Sequence, residues 1–307
     1  MPEQTTNAIR LRRKSLVFLG IVALASVVMF AWPLFASPGA LEGFSSRTPL
    51  IIAVLIPMIL AVVLAEISEE GFDVKAVAML GVLSAAVAAV RPLGAGSAGF
   101  ETVFFVLILG GRVFGPAFGF VLGCTGMFAS ALLTGGVGPW LPYQMLGAAW
   151  VAFGAGLLPQ WRGKLEMLVL AAYGAIAALG YGLALNLSFW PFTLGADTEL
   201  SYVPGAAVVE NLHRFIVFSL STSLGWDIIR ALVTIALLLV AAPVVLATLR
   251  RAAHKAAFAA PVSFAAPAET EPRTASDVPR QPAGARAPQP SADETPATTP
   301  ADPPAGT

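Results

Sequence analysis

Apolar residues dominate this chain in long runs at about 15–36, 50–66, 74–90, 113–133, 142–158, 165–187 and 226–249. Each approaches the roughly 20 apolar residues that a helix needs to cross a hydrocarbon layer about 30 Å thick. An eighth run at 100–111 is shorter, about a dozen apolar residues or roughly 17–18 Å of helix. It ends in Ile108-Leu109-Gly110-Gly111-Arg112-Val113-Phe114-Gly115-Pro116, with Gly119 and Gly123 following. A helix that short cannot span alone. Glycine-broken helices at membrane depth are tolerated where protein or a water-filled cavity covers the freed backbone groups. The pattern predicts an all-α integral membrane protein with a short broken helix, and a transporter or embedded binding protein rather than a simple anchor.

Composition agrees: 57% of residues are hydrophobic, 12% are charged and the mean hydropathy is +0.78, against roughly 25% charged in soluble domains. The run 15–36 exceeds a signal-peptide core of about 7–15 residues and is read as retained. Lysine and arginine in short loops set orientation. With the N-terminus inside, the inner side holds Arg10, Arg12, Arg13, Lys14, Lys75, Arg112, Arg162, Lys164, Arg250, Arg251 and Lys255, and the outer side Arg47, Arg91 and Arg214. Both termini are thus expected in the cytoplasm of a cell-membrane protein.

Three parts are expected. Residues 1–72 form a two-helix membrane extension, 73–253 a six-segment core, and 254–307 a tail rich in alanine and proline. That tail lacks the apolar residues to offset its ordering entropy and should be disordered. Between the last core segments, residues 208–218 read as an amphipathic outer helix.

The chemistry-bearing motifs of enzymes are absent, with no H-E-x-x-H, G-x-S-x-G or phosphate-cradling loop in the sequence. No metal and no cofactor are expected, and the lone Cys124 reads as a small buried hydrophobe. Ionisable groups near membrane depth are costly and are candidate functional residues. Arg91 and Glu101 flank one outer loop and could pair across it. With Asn186, Trp190, Asn211, His213, Arg214, Trp226 and Asp227 they point to the outer half, a convergence that suits a small-molecule site. Each alone also reads as an interfacial residue snorkelling to water, and Asp227 equally as a helix-dipole partner beside a capping Ser223. On the third segment Gly81, Ala85 and Ala89 recur every four residues, a spacing that admits close approach of a helix, the chain's own or another's.

From Asp73 to about Arg251 the chain resembles the substrate-binding S components of energy-coupling factor transporters. The resemblance rests on the Leu109–Gly123 stretch, with its Gly-Pro break and glycines four apart, on the small-residue run Phe153–Leu158, and on the basic Arg162–Lys164 loop. It implies a six-helix S-component-like core that captures a vitamin-like micronutrient, working with a transmembrane coupling subunit and two cytoplasmic ATPases. It implies that Gly81, Ala85 and Ala89 dock on the coupling subunit and that residues 91–100 close over the ligand. The two extra N-terminal helices and the tail depart from the family's compact form. Two other classes remain open: a self-sufficient secondary transporter, which needs buried carboxylates at mid-membrane, and a membrane-integrated lipid enzyme.

Overall fold

The computed structural model describes residues 13–36, 54–61, 63, 74–94, 98–194 and 198–257. These belong to a first unit, Met1–Ala260, distinct from Pro261–Thr307; the loop 64–73 and the expected tail from residue 258 lie outside the described residues, whereas residues 254–257, expected to open the tail, continue the last described helix. The described chain is helical, with no strand among the described residues. In order it runs through α1 (Arg13–Ala31) with a 3-10 turn at Trp32–Phe35, α2 (residues 54–61), α3 (Val74–Gly94), α4 (Val103–Phe114) and α5 (Pro116–Thr134). It continues through α6 (Leu141–Leu157), α7 (Lys164–Thr193), α8 (Val208–Phe218), α9 (Leu224–Val240) and α10 (Ala242–Ala257). Four helices are long and apolar enough to cross a membrane: Val74–Gly94, Pro116–Thr134, Lys164–Thr193 and a continuous Val208–Val240.

The break predicted near Gly115 is present and has a clear cause. Gly115 takes φ 100° and ψ 171°, a backbone region that L side chains avoid, and Pro116 then opens α5 as a residue with fixed φ and no N–H to satisfy. Glycines on both sides of the break let three helices touch backbone to backbone. A side chain at Gly111 or Gly119 would strike Ala152 of α6, and one at Gly123 would strike Ala148 and Ala149. α5 and α6 therefore form the most extensive helix pair, with α4 lodged beside them. Of α4's residues, Phe104, Leu107, Ile108 and Leu109 are sealed at 1% exposure or less. Its 12 residues span only about 18 Å, shorter than the helices packed around it.

Two segment boundaries differ from the sequence expectation. The amphipathic segment 208–218 is not separate from the last span: a π-helical turn, Ser219–Ser223, joins α8 to α9 without a loop. At 33 residues this helix is about 50 Å long, more than a bilayer core requires. The run 226–249 is divided at Ala241, where Pro243 follows and α10 begins. Proline in that position cannot donate back to the preceding turn.

α1 is bound into the bundle. Trp150 Nε1 donates to Ser26 Oγ at 3.0 Å, Ser188 Oγ to the Phe30 carbonyl at 3.3 Å, and Trp32 Nε1 to the Ser188 carbonyl at 3.2 Å. Val22 of α1 and Ile56 and Ile59 of α2 belong to the same apolar core as α4 and α5. A second, smaller cluster of Trp190, Tyr202, Phe215 and Phe218 covers the C-terminal end of α7.

Candidate functional site: a charged cavity at the N-terminal end of α4

Two ionic clusters cap the short helix α4, one at each end. At its start, Arg230 Nε donates to Glu101 Oε2 at 2.8 Å, and Arg230 Nη1 pairs with Asp227 Oδ1. Arg230 also stands over the Tyr181 ring, 5.6 Å from its centroid. The side chain of Arg230 is only 12% exposed and that of Asp227 11%, so their mutual attraction is weakly screened. Gly182 makes this cluster possible, since a side chain there would collide with Asp227 and Arg230.

Next to it, Arg91 Nη2 donates to Gln144 Oε1 at 2.7 Å, and Arg91 Nη1 lies 3.5 Å from Ser130 Oγ. Arg91, Glu101, Thr102, Val103, Met127, Gln144 and Tyr181 enclose a cavity of about 20 Å3. That is room for about one water molecule. Five helices converge on it. Beside it, Thr102 Oγ1 donates to the Val90 carbonyl at 3.0 Å, Ala98 and Gly99 take positive φ of 44° and 84°, and Gly99 abuts the Trp226 backbone.

The candidate residues thus divide. Arg91, Glu101 and Asp227 come together around the cavity and Arg230. Arg91 and Glu101 share the cavity but bond to Gln144 and Arg230 respectively, in place of the cross-loop pair expected between them. Asn186 lies one helical turn beyond Gly182 on α7, and its amide nitrogen is buried without a partner. Trp190 is buried in the smaller apolar cluster with Nε1 bonded to the Leu200 carbonyl at 2.8 Å. Asn211 clamps Val203, accepting from its N–H at 3.1 Å and donating to its carbonyl at 2.9 Å. These two organise the cap formed by residues 198–206 over the end of α7. His213 is exposed, Arg214 pairs with Glu210 one turn away at 3.2 Å, and the Trp226 side is half exposed at 50%. Gln144, Tyr181 and Arg230 complete the site; a polar or aromatic residue on an otherwise apolar helix was the only signal for the first two.

At the other end of α4, Arg112 Nε donates to Glu166 Oε1 at 2.9 Å, Nη1 to the Leu158 carbonyl at 2.8 Å and Nη2 to the Trp161 carbonyl at 3.4 Å. Arg250 of α10 reaches the same Glu166 oxygen. Glu166 is therefore a buried carboxylate, 2% exposed, and not a solvated helix-end residue.

On α3 the two small-residue rows separate. Ser84 and Ala88 face inward, with Ser84 Oγ 2.8 Å from Thr125 Oγ1. Gly81, Ala85 and Ala89 face outward and are exposed, and nothing lies within 4 Å of where a side chain at Gly81 would begin. Among the described residues no group of three or more His, Cys, Asp or Glu is placed to hold a metal. Compared with protein-family models, curated proteins and solved structures, the chain gives no match.

Proposed function

We propose that this chain is the solute-capturing membrane subunit of an importer, resembling the S components of energy-coupling factor transporters. It takes a vitamin-like micronutrient at the outer end of α4, and partner ATPases acting through a transmembrane coupling subunit supply the energy. The observation that carries this reading is a property of one helix. α3 lends Arg91 to the charged cavity and turns the unoccupied row Gly81, Ala85, Ala89 outward. Small residues on a lipid-facing row gain little from lipid, which fills any surface, and much from a second helix at close range. A cavity of about 20 Å3 admits a water and no vitamin, so ligand entry requires the lining residues to move apart. Both termini lie in the cytoplasm in this reading, because the basic loops concentrate at the Arg112 end.

The experiment is purification of the tagged full chain from native membranes, with copurifying proteins and small molecules identified by mass spectrometry. Recovery of an ATPase pair with a membrane subunit, lost in Ala85→Trp, supports the reading; recovery of the chain alone from both counts against it.

A second reading, a self-sufficient secondary transporter, is favoured by the burial of Glu166 and Asp227 at 2% and 8% exposure. Buried carboxylates are the groups through which protons couple to transport. Both are committed to arginine ion pairs, Glu166 with Arg112 and Arg250 and Asp227 with Arg230, which a proton-coupling carboxylate would have to leave. Uptake into proteoliposomes driven by a proton gradient, without ATP or partners, would decide for it.

A further inference from the structure

Around the inner ionic cluster the surface carries a collar of cations. Glu166, at the start of α7, ties together Arg112 of α4 and Arg250 of α10. Arg112 in turn holds the carbonyls of Leu158 and Trp161 in the α6–α7 turn. These bonds bring the turn and the end of α10 to the same place. The turn exposes Trp161, Arg162 and Lys164, and α10 exposes Arg251, His254 and Lys255. The one carboxylate at the hub, Glu166, is buried and already shared by two arginines, so the hub itself is a net cation.

The position of the collar along the helices says what it meets. Immediately above it the outward residues are apolar: Val240 and Val244 are 80% and 70% exposed, and Leu165 and Leu168 51% and 63%. On α10 the outward face changes from Val244 to Arg251 within seven positions, about 10 Å of helix. An exposed apolar band that ends in a ring of cations beside a tryptophan marks the boundary between acyl chains and headgroups. The first molecules at that level are lipid headgroups.

We propose that the collar formed by Arg162, Lys164, Arg251 and Lys255 is a binding surface for anionic phospholipid headgroups, with α10 held in place for it by the Arg250–Glu166 bond. A phosphodiester headgroup with net negative charge gains from each nearby lysine or arginine, whereas a zwitterionic one does not. The proposal concerns a different end of the molecule from the outer cavity and stands whether or not the chain has transporter partners.

The test uses the full chain in mild detergent, offered equimolar phosphatidylglycerol and phosphatidylcholine, with bound lipid counted by native mass spectrometry. The wild-type protein should retain phosphatidylglycerol in preference. Arg251→Gln combined with Lys255→Gln, both exposed and outside the ionic hub, should lower that preference by about fivefold per cation removed. The preference should also shrink in high salt. A second measurement compares melting in nanodiscs of the two lipids, where only the wild type should melt higher in phosphatidylglycerol. Equal retention of both lipids by the wild type, or an unchanged preference in the double variant, would overturn the proposal.

Discussion

Arg112 Nε lies 2.9 Å from Glu166 Oε1, and the two side chains are 1% and 2% exposed. This pair joins the broken end of α4 to the first turn of α7. It explains how a helix of about 18 Å is held within a membrane-thick bundle: each end is fastened by an arginine between partners, Arg112 at one and Arg230 at the other.

Glu166→Gln should be strongly destabilising. It leaves Arg112 buried, and Arg250 half covered, without a countercharge, and breaking a buried pair costs about 3–5 kcal/mol. Thermal unfolding in detergent should show a clear loss for Glu166→Gln. The combination Arg112→Met, Glu166→Leu, Arg250→Met should recover much of it, because no buried charge is then left alone. A melting curve for Glu166→Gln that overlays the wild type would refute the fastening role.

The Arg230 cluster should respond asymmetrically. Arg230→Gln strands both Glu101 and Asp227, whereas Glu101→Gln or Asp227→Asn leaves Arg230 one carboxylate. The arginine variant should therefore lose more stability than either acid variant, with the two acid effects non-additive because they share a partner. Equal losses from all three would mean that the cluster does not act as a unit.

Much of this arrangement is legible in the sequence, and the rest is not for identifiable reasons. The Gly115-Pro116 break, the short α4 and the glycines four apart on α5 follow from local rules of backbone and close packing. The outward row on α3 is visible as spacing, but which of two rows faces out depends on Thr125 and Val87 meeting neighbours from another helix. Arg91, Glu101 and Asp227 were recognisable as expensive charges in apolar surroundings. Their partners were not: Arg230 lies 129 residues from Glu101, and no local pattern encodes such a meeting. Asn211 and Trp190 have the composition of ligand contacts but serve a local cap, which is set by the turn geometry near Val203 and Leu200.

Glycine substitutions should separate by neighbour, not by helix propensity. Gly123→Ala sets a side chain against the Ala148–Ala149 backbone of α6, which cannot yield as a flexible side chain would. It should cost at least the 1–3 kcal/mol or so typical of overpacking. Gly81→Ala meets open space and should leave folding unchanged or slightly improved, since alanine favours helix by about 1 kcal/mol over glycine. Expression and detergent melting of the two variants distinguish the cases.

The exposed face of α8 should tolerate what its buried face does not. Arg214→Ala removes an exposed pair with Glu210, worth about 0.3–0.5 kcal/mol in a helix, and one exposed bond to the Glu199 carbonyl, and should change melting little and leave ligand retention unchanged. Asn211→Ala leaves the N–H and carbonyl of Val203 without their partner and should loosen the cap, read as faster proteolysis or hydrogen exchange near residues 198–206. Equal behaviour of the two variants would mean that Asn211 does not organise the cap.

The central claim, that the outward face of α3 receives a coupling subunit, is tested most directly by photocrosslinking from that face. A photoreactive amino acid placed at Ala85 of the full chain in native membranes, with the products identified by mass spectrometry, should yield a membrane protein that copurifies with ATPases. The same probe at Leu83, which faces the core, should yield only the chain itself. Crosslinks from position 85 confined to lipid or to the chain's own helices would contradict the account.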